Sequence, residues 1–543
     1  MAITALPALN RTASTFRDDV DTFFGTQLPA FSVETEAARI EINNNTTIAT
    51  TQAQLATTQA QLATTQATAA AASALSAGAT IWVSGTTYTA GVSKYSPLDG
   101  QVYRRMITGA GTTDPSQDAV NWRVVNGLTS EMIVLPFNNL PSMRPSLSLD
   151  FANNQIVDPR ITFTRASTAT RTNSKGLIEA AASGVPRIDY DAVTGACKGL
   201  LIEEQRVNLL TYSEQFDNAA WIKNQVTVAA NATIAPDGAT TADKLVESVA
   251  NSTHSVYQGG VGVVSGTTYT YAVFVKAAER TKFEISFNSN SSAFADSQAS
   301  FDLVAVTSSS ANTLSHGIRS VGNGWYLCWA TEAATASVNC VIELRVVAAT
   351  TIYTGDGVSC LSIWGAQLEA GVFPTSYIPT VASQVTRAAD VASMTGANFS
   401  SWYRQDEGSF VAETLLARQA AIAGTRQYTV SDGATSSIGS FYRGSGATGA
   451  TVLVSGVTQT DLAPTGVIAA NTPAKVALAY KVNDFAASGN GAATLTDTSG
   501  TIPILDRLHL GTDLGNYLNG HVRSLTYYPK RLTNAELQSL SAQ

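Results

Sequence analysis

Thr268-Tyr-Thr-Tyr-Ala-Val-Phe-Val275 shows what most of this chain is made of. Its β-branched and aromatic residues alternate in side-chain character with period two and carry no helical spacing, the mark of a strand with one face in a core. Lys282-Phe-Glu-Ile-Ser-Phe287 repeats the alternation. Further strands are expected at Gly324-Trp-Tyr-Leu-Cys-Trp329, Val341–Val347 and Leu361-Ser-Ile-Trp364. Glycine, serine and asparagine punctuate them. Residues 211–385 therefore read as one β-sandwich.

A composition change at Pro379 to Asp390 marks a linker. Short strands resume in 386–543, at Phe410-Val-Ala-Glu413, Gln427-Tyr-Thr-Val430, Lys475–Tyr480, Arg507-Leu-His-Leu510 and Val522–Tyr528. Leu532–Leu540 has the spacing of a short amphipathic helix, capped by Thr533 or Asn534. It is expected to lie over a sandwich edge. Upstream, 128–210 is read as a β connector whose charges are the densest in the chain. There Asp189 and Asp191 alternate with Ile188 and Tyr190, so structural ion pairs or turn bonds are expected of them rather than catalysis.

The N-terminal part differs in kind. Ile48-Ala-Thr-Thr-Gln-Ala-Gln is followed by Leu55-Ala-Thr-Thr-Gln-Ala-Gln and Leu62-Ala-Thr-Thr-Gln-Ala-Thr. A large residue every seventh position, Ile48, Leu55 and Leu62, forms a thin helical seam. Alternate core layers then fall on Gln52, Gln59 and Gln66, or on Thr51, Thr58 and Thr65. So narrow a stripe does not offset backbone ordering in one helix, so sister chains are expected to cover it. Residues 33–78 read as a coiled-coil stalk, with a disordered Thr/Gln/Ala linker as the alternative. In 1–32, Phe16, Val20, Phe23 and Phe24 make an apolar helical stripe with no domain core beside it, which suggests attachment.

The chain has 543 residues, too many for a single core. Its formal charge is -8, and only 14% of residues are charged. With no Lys/Arg cluster, nucleic acid binding is not expected. No apolar run reaches the ~18–20 residues that span a bilayer. The N-terminus lacks a secretory signal. Cys197, Cys328, Cys340 and Cys360 show no metal-ligand spacing, and buried free thiols are expected over a disulfide among the last three. No cofactor, metal or catalytic residue is expected.

Residues 79–127 gather Trp82, Tyr88, Tyr95, Tyr103 and Trp122 among glycines. Trp82, Tyr88, Gly91, Gly100, Val102, Tyr103, Asp114, Pro115, Asn121 and Trp122 resemble the pattern of small chitin- and cellulose-binding modules. That resemblance implies sugar stacking on Trp82 and Tyr88, yet the same rings are the core candidates of so small a unit.

Phe163-Thr-Arg-Ala-Ser-Thr-Ala-Thr170, Pro186-Arg-Ile-Asp-Tyr-Asp191 and Gly199–Leu210 resemble tail fibre and tail-tip proteins of tailed bacteriophages. So do Pro7-Ala-Leu-Asn-Arg-Thr12 and Phe16–Phe24. The strand order of 211–385, with its late Trp364-Gly-Ala-Gln-Leu-Glu369, resembles carbohydrate-binding jelly rolls. The last domain resembles a laminin-G or concanavalin-like jelly roll. The resulting expectation is mainly β: an α-helical coiled-coil stalk, then several β domains including two jelly-roll sandwiches.

The resemblances imply a homotrimeric receptor-binding protein on the virion tail, made in the host cytoplasm and released on lysis. Its N-terminus would meet tail or baseplate proteins and its β domains would meet bacterial surface polysaccharide. Trp221, following Asp217-Asn218, is the exposed sugar platform expected in the first sandwich, whereas Trp364 reads as core. In the last domain Asp513, Asn516, Tyr517 and Asn519 are the loop candidates, although tight turns alone explain their glycine neighbours. His509 and His521 read as surface or hydrogen-bonded residues. A structural connector without glycan binding and a polysaccharide depolymerase are the alternatives.

Overall fold

A computed structural model describes residues 80–98, 102–118, 120–124, 141, 143–287, 292–313, 315–416 and 424–542. The chain divides into two units, Met1–Asn138 and Asn139–Gln543. The predicted stalk and attachment segment, with Ile48, Gln52, Leu55, Gln59, Leu62, Gln66, Phe16, Val20, Phe23 and Phe24, lie outside the described residues.

Within the first unit, Thr80–Ile81, Ser93–Tyr95, Val102–Arg105 and Trp122–Val124 form a four-stranded sheet, and Thr87–Tyr88 pairs with Gly109–Ala110. Three rings make its centre: Trp82, Tyr88 and Trp122 are all buried, with Val92 and Tyr103 packed against them. A unit this small has few other apolar side chains to exclude water with.

The second unit is predominantly β and holds two sandwiches. The first pairs a seven-stranded sheet, centred on Asn251–Gly262, Asn339–Val347 and Lys282–Phe287, with a six-stranded one. The six-stranded sheet runs Val226–Thr233, Ala242–Glu247, Cys360–Ala370, Thr268–Ala277, Trp325–Ala333 and Ser315–Ser320. Val273, Val275, Phe283, Ile285, Ile342 and Leu344 fill the space between the sheets. Cys197, Cys328, Cys340 and Cys360 are free thiols, the last three buried. Burial pushes the Cys340 thiol up to about 12 and the Cys360 thiol to about 11, the latter helped by Glu279.

The other sandwich redraws the boundary placed at 128–210. Its eight-stranded sheet takes Ile188–Tyr190, Cys197–Ile202 and Leu147–Asp150 from the supposed connector, ranged beside Gly520–Tyr528, Glu407–Leu416 and Pro473–Lys481. Its seven-stranded sheet ends on Thr162–Thr164, paired with Val391–Thr395. Leu147–Asp150, Thr162–Thr164 and Cys197–Ile202 each pair with strands two hundred or more positions away, whereas Ala169–Thr172 and Ile178–Ala181 pair with each other. The first sandwich is thus inserted into the second. Arg206–Asn208 leaves and Val385–Arg387 returns as an antiparallel pair, making a two-stranded neck.

Aromatic packing dominates the host core, where Trp402, Tyr403, Phe410, Tyr480 and Tyr527 stack on one another. The C-terminal helix is Asn534–Ser541, started by Thr533 through a capping box with Glu536. Leu537 buries it against Val411, Ala477 and Ala486, on the outer face of the sheet rather than at an edge.

Candidate functional site

Beside the neck lies a groove of about 750 Å³ with walls from both sandwiches. That volume falls in the range of small-ligand sites. One wall is the outer face of the inserted domain's six-stranded sheet. Along Trp325–Ala333, Cys328 and Ala330 enter the inner core, while Trp325 and Leu327 face outward into a second apolar layer with Phe274, Trp364 and Tyr377. Both faces of this strand are apolar because both are covered. The hairpin Ala169–Thr172 and Ile178–Ala181 supplies part of that cover through Ile178.

At the rim of the layer, cover runs out. Trp329 lies one step beyond Leu327 on the same face and is only partly buried, whereas Trp82, Trp122, Trp221, Trp325, Trp364 and Trp402 are all buried. Its neighbour on the edge strand is Gly317. A Cβ at 317 would stand 2.2 Å from the indole Cζ2, so the ring lies flat across the glycine backbone. Only glycine leaves room for that approach, and the indole in turn shields an edge glycine. The ring is held from below and lines the groove with its other side.

Next to Trp329 on the edge strand, Arg319 pairs opposite Leu327 and also lines the groove. Its side chain is accessible to solvent yet enclosed by protein, as in a deep cleft. Burial lowers the guanidinium from its ordinary value, against the pull of Asp189, Asp191 and Glu203.

The facing wall belongs to the host sandwich. His521 Nε2 lies 2.8 Å from Asp189 Oδ2, and Thr172 N donates to Asp189 Oδ1 at 2.7 Å. Burial raises Asp189, but His521, Lys198 and the Thr172 bond outweigh it and hold the carboxyl below its usual range. Burial likewise keeps His521 below the ordinary histidine value despite Asp189. Neutral, it donates through Nε2 and leaves the buried Nδ1 without a partner. Asp191 accepts from the backbone of Val193 and Thr194 and sits 3.8 Å from Lys198, so it too is held low despite burial. The turn-bond reading of Asp189 and Asp191 fits these contacts.

Behind this wall is a buried charge cluster at the neck. Arg165 and Arg187 pair with Asp390, and Arg187 and Arg387 pair with Glu203. Ser376, on the inserted domain's return, donates to Glu203 from both its backbone and its hydroxyl. Burial alone would raise Glu203; Arg387, Arg187 and Ser376 bring it down to about 2. Gly371, at φ +149, leaves the slot that the Arg206 guanidinium fills, and Arg206 then stacks 5.1 Å from Phe373 on the groove wall.

Most of the sequence candidates stand elsewhere. Trp221 is not an exposed platform: it is 1% exposed, stacked 4.7 Å from Phe216, and its indole donates to the Tyr212 carbonyl. The polar Asp217-Asn218 before it forms a turn after which Trp221 drops into the core while Ile222 stays exposed. Trp82 and Tyr88 pack in the first unit's core, Tyr88 edge-on to Trp122 at 5.5 Å, so neither offers a free ring face. Asp513 pairs with Arg426 and accepts from Gly515 and Asn516, a self-contained turn. Tyr517 packs on the host core. Asn519 alone of that loop lines the groove, and its side-chain oxygen accepts from Glu204 N. His521 is hydrogen-bonded, the second of the two expectations for it, and buried. Trp329 and Arg319 are groove residues that the sequence does not single out. The glycine opposite a strand tryptophan was a signal for the first, but pairing register is not visible in sequence.

No family model and no curated protein matches the sequence. Among solved structures, the CBM40 of the Ruminococcus gnavus IT-sialidase is similar over 25% of this chain and 84% of its own, at 18% identity and a TM-score of 0.22. Mouse laminin alpha1 domains LG4-5 are similar over 52% of this chain and 88% of theirs, at 8% identity and 0.18. Trypanosoma rangeli sialidase covers 82% of this chain and 67% of its own, at 9% identity and 0.23. The likeness is distant and concerns β-sandwich architecture; no chemistry is carried over from it.

Proposed function

We propose that the groove beside the neck binds a glycan and that the chain is a bacteriophage tail fibre, using this groove to hold a bacterial surface polysaccharide. The supporting observation is Trp329, whose indole lies across Gly317 at the edge of a groove that carries both apolar side chains and charged groups. A sugar has one apolar face and a rim of hydroxyls. The indole suits the face; the partly exposed Asp191 carboxylate and the Arg319 guanidinium suit the rim.

The virion assignment rests on sequence: the heptad seam at Ile48, Leu55 and Leu62, and the resemblance of 163–210 to tail fibre proteins. A trimer would present three grooves and convert weak contacts into firm attachment by avidity. The N-terminal segment would join the tail.

Catalysis is the less favoured reading of the groove. A glycosidase needs one carboxyl that still holds its proton near neutral pH. The groove carboxyls Asp189, Asp191 and Glu203 are all held low. The structural-connector reading is favoured for the first unit, where the rings are buried in the core.

The test is binding of the full chain to a glycan array and to host cells, against Trp329→Ala. Loss of at least about tenfold in affinity is expected. Unchanged binding by the variant would remove the groove from the function.

A further inference from the structure

The charges around the groove pair off with one exception. Arg171 is matched by Glu179, Lys198 by Asp191, and Arg165, Arg187 and Arg387 surround Glu203 and Asp390. That buried cluster carries one positive charge more than it has carboxylates, which offsets Asp189 beside a neutral His521. Arg319 remains over. Among the described residues its side chain has no hydrogen-bond or ion-pair partner, although it stands among carboxylates. On a chain of net charge -8, the groove therefore keeps an unneutralised guanidinium at its aromatic edge.

Arginine offers a planar fork of donors that matches an oxyanion with two parallel hydrogen bonds. Solvent satisfies it while the groove is empty. Arg319 and Trp329 project from the same face of two paired strands, in a diagonal relation. Such neighbours lie within reach of long side chains. One sugar ring resting on the indole thus places an acid substituent within reach of the fork.

Resting on the glycan-binding reading of this groove, we infer that the preferred ligand is an acidic glycan whose singly charged acid group is held by Arg319, while Trp329 carries the ring. The acid group is a sugar carboxylate or a backbone phosphodiester, which share the geometry that the fork reads. Arg319 then sets specificity and Trp329 sets binding as such.

The experiment uses the full chain and two variants, Arg319→Gln and Trp329→Ala. Binding is measured to polygalacturonate oligomers, to the same oligomers after carboxyl reduction, and to a ribitol-phosphate oligomer, each at low and high salt. The wild type should prefer an acidic probe over the neutral one by at least about tenfold, with the preference weakened by salt. Arg319→Gln should erase that preference, bringing acidic and neutral binding within about twofold of each other, while Trp329→Ala weakens both. The carboxylate and phosphodiester arms tell which acid group is read. If Arg319→Gln keeps the preference, or if the wild type has none, this inference is overturned while the groove reading survives. If the wild type binds no probe, and Trp329→Ala leaves host-cell binding intact, the groove reading fails and takes this inference with it.

Discussion

Arg387 and Arg319 belong to the same molecule, flank the same groove, and live by opposite rules. Arg387 is wholly buried, pairs with Glu203, and donates to Ser376 and the Glu204 carbonyl. Arg319 opens to solvent within the groove, and among the described residues its fork has no partner. Removing either takes away one guanidinium, but in one case a buried network is broken and in the other an accessible group is lost. The neck charges therefore serve the architecture, joining two sandwiches that the chain reaches at distant positions. The rim charge is available for something from outside.

The sharpest way to break this comparison is to mutate both. Arg387→Ala leaves Glu203 buried beside one fewer partner, which typically costs about 3–5 kcal/mol. That is a large share of a domain's whole stability. Arg319→Gln should change stability by no more than about 0.5 kcal/mol. Thermal unfolding of the two variants checks this. Equal losses of melting temperature would mean that Arg319 is part of the framework after all.

Acid separates the two regions without mutation. Glu203 titrates near 2 when folded, below the ordinary 4.5 that it recovers on unfolding. A carboxyl depressed in this way stabilises the fold fully above 4.5, and the contribution disappears as pH falls from there toward 2. The shift corresponds to roughly 3 kcal/mol. Denaturant midpoints measured from pH 6 down to 2 should fall steeply below 4.5 in the wild type. The fall should be shallower in Arg387→Ala, whose Glu203 has less far to move. A flat wild-type profile would contradict the network.

Much of this architecture was legible in the chain, and the failures have a common cause. The alternation of Thr268–Val275 and Lys282–Phe287 marks strands Thr268–Ala277 and Lys282–Phe287. The helix after Leu532 is announced by Thr533 and Glu536, because capping is local chemistry. What pairs with what is not local. The strands at 147–202 read as a connector since their partners lie in 391–395 and 520–528. Trp221 read as exposed because polar neighbours precede it, whereas the indole's surroundings come from Phe216 and Tyr212 folded back over it. Trp329 ends the stretch Gly324–Trp329, which reads as an ordinary strand, because its exposure depends on where the covering hairpin stops.

A small change in stability tests the platform itself. Gly317 lies on an edge strand, and its φ is not in the left-handed region, so the backbone accepts a side chain. Gly317→Ala places a Cβ 2.2 Å from the Trp329 ring, a distance that real contacts do not reach. The obstacle is the end of a side chain, so the indole swings toward the groove rather than the strand separating. Overpacking of this kind costs about 1 kcal/mol, and the better strand propensity of alanine recovers part of it. Melting temperature should therefore hardly move. Glycan binding should fall as it does in Trp329→Ala, because a tilted ring no longer presents a flat face, and tryptophan fluorescence should report the new environment. A variant that melts normally, binds normally and shows an unchanged emission spectrum would mean that the indole does not rest on Gly317. The contrast between a framework that tolerates no loss and a rim that tolerates many would then lose its aromatic half.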